Sequence, residues 1–150
     1  MALKLKVVWI GKTKESAIQA LSDEYLSRLK RYVEIEGRAL KDETAVLAMA
    51  APHTRSQAKP VLVLLDGRGK QITSEELANF LGKHEERNPA PLVFAIGAAD
   101  GFSDSTRQAA GMLLSLSKMT LAHELARVVL LEQLYRAFTI LKGHPYHLSH

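Results

Sequence analysis

Phe94-Ala95-Ile96-Gly97-Ala98-Ala99-Asp100-Gly101 opens the stretch that decides how this chain folds, and the stretch runs on to His147. An apolar strand meets a loop bracketed by two glycines, and a second short apolar segment ends in Leu116-Ser117-Lys118-Met119-Thr120. A helical pattern then runs from Leu121 to Lys142 with apolar residues around most of its circumference. Such a helix is expected to be buried on several sides. Past its end lie Gly143-His144-Pro145-Tyr146-His147, stiffer and more aromatic than a fraying terminus. Polar groups parked there are candidates for a site, and Tyr146 suits stacking on a nucleobase.

Upstream, strand and helix patterns alternate. Leu3 to Ile10 reads as a strand, Gly11-Lys12-Thr13-Lys14 as a loop, and Glu15 to Arg31 as a helix with Ala17, Leu21, Tyr25 and Leu29 on one face. Tyr32 to Ala39 reads as a second strand broken by Gly37, and Asp42 to Ala51 as a short helix stopped at Pro52. His53 to Lys59 is polar and reads as a loop. Val61 to Leu65 is a continuous apolar run, as in a strand buried on both faces, followed by a turn over Asp66 to Lys70. Thr73 and Glu76 form a capping box for a helix reaching His84 or Glu85. Pro91 to Ile96 is the next strand, Ser103 caps a helix through Ala110, and Met112 to Leu116 is the last strand. The alternation predicts a single α/β domain over residues 1–150 with a largely parallel sheet.

Composition narrows the class. The chain is 47% hydrophobic and 24% charged, with no cysteine and therefore no disulfide framework or thiolate metal site. Its apolar runs fall far short of a membrane span, and its start lacks the apolar core of a signal peptide, so a cytoplasmic protein is expected. The net charge is +4, and residues 1–41 carry nine Lys/Arg against five acids while the rest balances. That asymmetry points to a phosphate-facing surface, with a merely solvated face as the alternative.

In a parallel sheet, ligands sit beyond the C-terminal strand ends. Three loops qualify: Leu65–Lys70, Gly97–Gly101 and Leu116–Thr120. No phosphate-cradling GxxxxGK[ST] run is present. Asp104 reads as a helix cap, whereas Asp66 and Asp100 stay open as bases or turn formers. His144 and His147 lack a third ligand at metal spacing, so no metal is expected. Arg127 and Arg136 interrupt the long helix. Glu124 is expected to pair with Arg127; for Arg136, Glu132 competes with an RNA phosphate.

Taken together, Phe94-Ala95-Ile96-Gly97…Gly101, Leu114 to His123, Leu131-Glu132-Gln133-Leu134-Tyr135-Arg136-Ala137 and His144-Pro145-Tyr146-His147 resemble the ribosomal large-subunit methyltransferase H family. These are pseudouridine-N3 methyltransferases of 23S ribosomal RNA within the SPOUT superfamily. The Gly11–Lys14 loop, the Leu65-Asp66…Gly69-Lys70 segment and the chain length match as well. The resemblance implies a SPOUT-type α/β fold with helices on both faces of the sheet, a C-terminal trefoil knot and a homodimer. It implies S-adenosylmethionine held by Leu65, Gly97, Ala98, Gly101 and the run Leu116, Ser117, Lys118, Met119, Thr120, Leu121 and Ala122. Arg136, His144 and His147 would serve catalysis, and Lys12, Lys14 and Tyr146 would meet the 23S RNA or the assembled ribosome. No metal and no membrane enter this scheme. The chain departs from the family pattern in Ala98 and Ala99, where a glycine and a proline are usual, and in its Leu148-Ser149-His150 tail. The competing function is a non-catalytic RNA- or ribosome-binding protein that retains the fold.

Overall fold

The structure is a computed structural model and describes residues 3–52, 54 and 58–149. His150 and part of the expected 53–59 loop lie outside the described residues. Five strands form one sheet: β1 (Lys4–Ile10), β2 (Glu34–Leu40), β3 (Val61–Gln71), β4 (Leu92–Ile96) and β5 (Met112–Ser115). Every pairing is parallel, in the order β2-β1-β4-β3-β5. The helices are α1 (Ser16–Leu29), α2 (Glu43–Met49), α3 (Ser74–Arg87), α4 (Asp104–Ala109), α5 (His123–Leu141) and the short α6 (Tyr146–Ser149).

Strand alternation sorts the core onto two faces. Val7, Val63, Leu92 and Phe94 join Leu29 of α1, Leu77 and Leu81 of α3, and Leu130, Leu131 and Leu134 of α5. Val8, Leu62, Leu64, Val93 and Ala95 point the other way, onto Val46 of α2 and Phe102. All of β4 is buried, as a central parallel strand covered on both sides should be. The capping box at α3 is present with both of its bonds, Glu76 N–H to Thr73 Oγ1 at 3.0 Å and Thr73 N–H to Glu76 Oε1 at 2.9 Å.

Four expectations are corrected. β3 does not end at Leu65: it bulges across residues 66–69 and resumes pairing, with both Leu65 and Lys70 opposite Leu114. Gly69 allows this, because a Cβ there would lie 2.6 Å from the backbone carbon of Leu113. Gly37 does not break β2 but makes room for Leu26, whose Cδ1 would be 2.6 Å from an added Cβ. The buried face of α1 is Ile18, Ser22 and Leu29, while Leu21 is 45% exposed. Finally, α5 is not buried all round: Leu125 and Val129, one turn apart, are 51% and 36% exposed.

Candidate active site

Because β4, β3 and β5 are neighbours, the Gly97–Gly101 loop, the β3 bulge and the Leu116–Ala122 segment meet at one edge of the sheet. This adjacency is what sequence left open. Gly97 is buried, and an added Cβ would lie 3.2 Å from the Phe102 ring and 3.3 Å from the Gly101 carbonyl carbon. Its role is therefore to let the loop fold back on itself. Gly101 takes φ +76° and donates its N–H to the Ala98 carbonyl at 2.9 Å, closing a tight turn over 98–101.

The third loop is shaped by its serines. Ser115 Oγ donates to the Ser117 carbonyl at 3.0 Å, and Ser117 Oγ accepts the Met119 N–H at 3.0 Å. Leu65 and Leu116, half-buried, pack onto the same core face, while Lys118, Met119 and Thr120 are exposed. Apolar walls beside exposed backbone suit a flat ligand whose polar edge is read by peptide groups.

Arg107 ties these loops together. It donates to the Phe102 carbonyl at the end of the first loop, and its Nε stands 3.6 Å from Asp66 Oδ2 in the bulge. Asp66 Oδ1 also accepts the Arg68 N–H at 2.8 Å, so this aspartate is a turn and clamp residue rather than an open base. Glu43 locks the next corner, accepting from Ser103 N–H at 2.6 Å, Ser103 Oγ at 2.8 Å and Thr106 Oγ1 at 3.2 Å. Burial pushes the Glu43 pKa up, but the bonds from Ser103 and Thr106 outweigh it, and the net shift is downward.

The tail residues form a second cluster. From Ala122 to Arg136 is fourteen residues of α5, about 21 Å along the helix axis at 1.5 Å per residue. Arg136 bonds Glu132 through Nε at 2.9 Å, as one of its expected partners, and its NH1 lies 2.9 Å from His147 Nδ1. The guanidinium carbon is 5.1 Å from the centre of the Tyr146 ring. The Glu132 bond raises the Arg136 pKa further.

The guanidinium can only donate, so His147 Nδ1 accepts, and its Nε2–H donates to Glu75 Oε1 at 2.6 Å. Glu75's own backbone N–H and this bond hold its carboxyl below the usual range. His144 Nδ1 accepts the Tyr146 N–H at 3.2 Å and the residue is exposed. Both imidazoles thus have their lone pairs facing donors. All four tyrosines gather here: Tyr135 lies 6.1 Å from Tyr25, 6.1 Å from Tyr32 and 4.8 Å from Tyr146. Burial and a bond to Tyr25 push the Tyr146 hydroxyl up to about 12. Sequence gave no sign of this quartet, since its members are spread over 121 residue steps from Tyr25 to Tyr146.

Lys12 and Lys14 are exposed in the loop after β1, beside the start of α5. The expected Glu124–Arg127 pair is not made. Glu124 Oε1 accepts the N–H groups of Lys14 at 3.1 Å and Glu15 at 3.4 Å, capping α1 from another helix. Arg127 turns inward to Thr13 and Trp9. A cavity of about 870 Å³ lies away from all of these groups, at the strand beginnings near Lys4, Glu34, Pro60 and Pro91. No helix among the described residues is long and apolar enough to cross a membrane.

The loops at the β4-β3-β5 edge are the candidate site, and comparison with known proteins gives its class, a methyltransferase. Residues 3–147 match the family described as "Predicted SPOUT methyltransferase". The ribosomal RNA large subunit methyltransferase H of Koribacter versatilis is 60% identical over 148 residues, 99% of this chain and 100% of that one. A probable methyltransferase from Bordetella pertussis Tohama I shares the fold at TM-score 0.62 and 8% identity, covering 91% of this chain and 95% of that one. The SpoU methyltransferase AviRb from Streptomyces viridochromogenes, solved with AdoMet, superposes at TM-score 0.55 and 14% identity, covering 91% of this chain and 58% of that one. This chain belongs to the ribosomal RNA large subunit methyltransferase H family of SPOUT methyltransferases.

Proposed function

We propose that this protein transfers the methyl group of S-adenosylmethionine to N3 of a pseudouridine in 23S ribosomal RNA. The observation that carries the reading is the convergence of three loops on one sheet edge, in a chain 60% identical to a relative named for large-subunit RNA methylation. The cofactor supplies an activated methyl on a sulfonium. Leu65 and Leu116 would flank its adenine, the backbone of 97–98 and 116–122 would read the polar edges, and exposed Lys118 to Thr120 would close over it. Ala98 is half-buried in the same loop, and its methyl would narrow the cradle relative to glycine.

The target imide N3 must lose a proton before it attacks in line. Both tail histidines have their lone pairs engaged, so Arg136 is the better candidate for promoting this loss. Its fixed positive charge beside the imide would stabilise the developing anion. His147, held between Arg136 and Glu75, would set the orientation of that guanidinium, and the Tyr146 ring would stack near the base.

The roughly 21 Å along α5 between cradle and tail fits a site completed by a second copy. The exposed Leu125 and Val129 on the same helix supply an apolar surface for that homodimer. The C-terminal trefoil knot that the family resemblance implies belongs to this same reading.

Calorimetry with S-adenosylmethionine tests the function at its root. Saturable binding is expected, and no heat at millimolar cofactor would leave the non-catalytic RNA-binding alternative in its place.

A further inference from the structure

Arg127 is 1% exposed and is the bulkiest of the fully buried side chains among the described residues. Its NH2 donates to Thr13 Oγ1 at 2.7 Å, and its guanidinium carbon lies 4.1 Å from the centre of the Trp9 ring. Its Nε and NH1 have no hydrogen-bond partner among the described residues. A guanidinium does not give up its proton, and a buried charge without a counter-charge is strongly unfavourable. No carboxylate among the described residues makes an ion pair with it: Glu124 is turned onto the α1 backbone and Asp23 is exposed on α1, so burial lowers the Arg127 pKa and the charges of these two only partly offset it.

Beside Arg127 is a small cavity of about 10 Å³, walled by Trp9, Gly11, Lys12, Thr13 and His123. That volume admits one oxygen-sized atom. The first turn of α5 borders it through His123 and Glu124, and Ala122 places no side-chain cap on that helix end. Free first-turn N–H groups favour an anion there. Lys12 is exposed on the opposite wall.

We infer that this cavity seats one oxygen of a phosphodiester of the RNA substrate, with Arg127 as its floor and Lys12 and the start of α5 at its mouth. The inference rests on the RNA-directed function proposed above. A water molecule would satisfy the free donors but would bring no counter-charge to a guanidinium whose burial Glu124 and Asp23 only partly offset. Glu124 shares the cavity wall, but its charge faces the amino end of α1, which the Lys14 and Glu15 N–H groups supply. The site places the Gly11–Lys14 loop in the substrate track beside the cofactor cradle, because β1 lies next to β4 in the sheet.

The full-length protein provides the test. Its Arg127 Nε–H resonance is followed by NMR while inorganic phosphate is added at constant ionic strength, with chloride as control. In parallel, binding to large ribosomal subunits is measured against salt for the parent protein, Lys12→Ala and Arg127→Met, with cofactor affinity measured alongside. The resonance is expected to move with phosphate and not chloride. Lys12→Ala should lower the slope of log affinity against log salt by about one, and Arg127→Met should weaken subunit binding by roughly tenfold with cofactor affinity unchanged. A stationary resonance together with an unchanged slope in Lys12→Ala would mean that the cavity holds water only, and would overturn the site. Loss of cofactor affinity in Arg127→Met with subunit binding intact would reassign the cavity to the cofactor's carboxylate, which also overturns it. Should Arg127→Met fail to fold, the phosphate titration and the surface variant Lys12→Ala still decide. If the parent protein binds subunits with the expected salt dependence yet transfers no methyl group, the phosphate site stands and the enzymatic reading fails.

Discussion

The loop edge of the sheet and the C-terminal tail are held by different physics. At the edge, neighbouring parallel strands fix where the loops begin, and Arg107, Asp66 and Glu43 then lock them by charged hydrogen bonds. At the tail, a few residues beyond α5 are kept in place by one guanidinium, one imidazole and a set of tilted and edge-to-face rings. The first arrangement is continuous with the buried core of the sheet. The second is peripheral, with Leu148 89% exposed. The proposed function assigns the first region to the cofactor and the second to the substrate.

Removing the tail should separate the two regions most sharply. Deletion of residues 145–150 is expected to abolish methyl transfer while leaving cofactor affinity nearly intact; full activity in that truncation would remove the tail from the site. A subtler break is Arg136→Lys, which keeps the charge but loses the fork shared by Glu132 and His147. Turnover should fall about a hundredfold with cofactor binding unchanged, the scale seen when one electrostatic donor is lost. An equal loss in kcat and in cofactor affinity would show that tail and cradle are not separate.

The converse change acts on the edge. Arg107→Met leaves the tail untouched but frees Phe102 and Asp66, and it should weaken cofactor binding by roughly tenfold, about 1.4 kcal/mol, with a smaller effect on turnover at saturation. Isothermal titration reads it directly. The smallest effect concerns acid stability. The folded pKa of Glu43 lies below its ordinary value of 4.5, so its contribution is present above that pH and is lost as pH falls through the depressed value. Thermal melts of Glu43→Gln should therefore fall below the parent near neutrality and converge with it in acid; a gap that widens on acidification would contradict the assigned sign.

Local signals were legible in the sequence, and long-range ones were not. The capping box at Thr73, the buried run at Val61 and the strand at Pro91 to Ile96 are set by nearest neighbours and by period, and the structure keeps them. The bulge in β3 was hidden because Asp66-Gly67-Arg68-Gly69 carries the residues of a turn. Only the close approach of the β5 backbone explains Gly69. The face of α1 was read one position off, since Leu21 looks like core until its neighbours are known. Helical spacing predicts Glu124 as the partner of Arg127, but the hydrogen bond goes to Thr13, 114 residues away. The proposed cradle residues rest on family resemblance, whereas the adjacency of their loops follows from strand order, which periodicity does not encode.

The most direct measurement is methyl transfer from labelled S-adenosylmethionine to ribosomes from cells lacking the native modification, followed by mapping of the labelled nucleotide. A single methyl group on N3 of a pseudouridine in the large-subunit RNA is the predicted result. Label on another atom or another RNA, or no label although the cofactor binds, would contradict it.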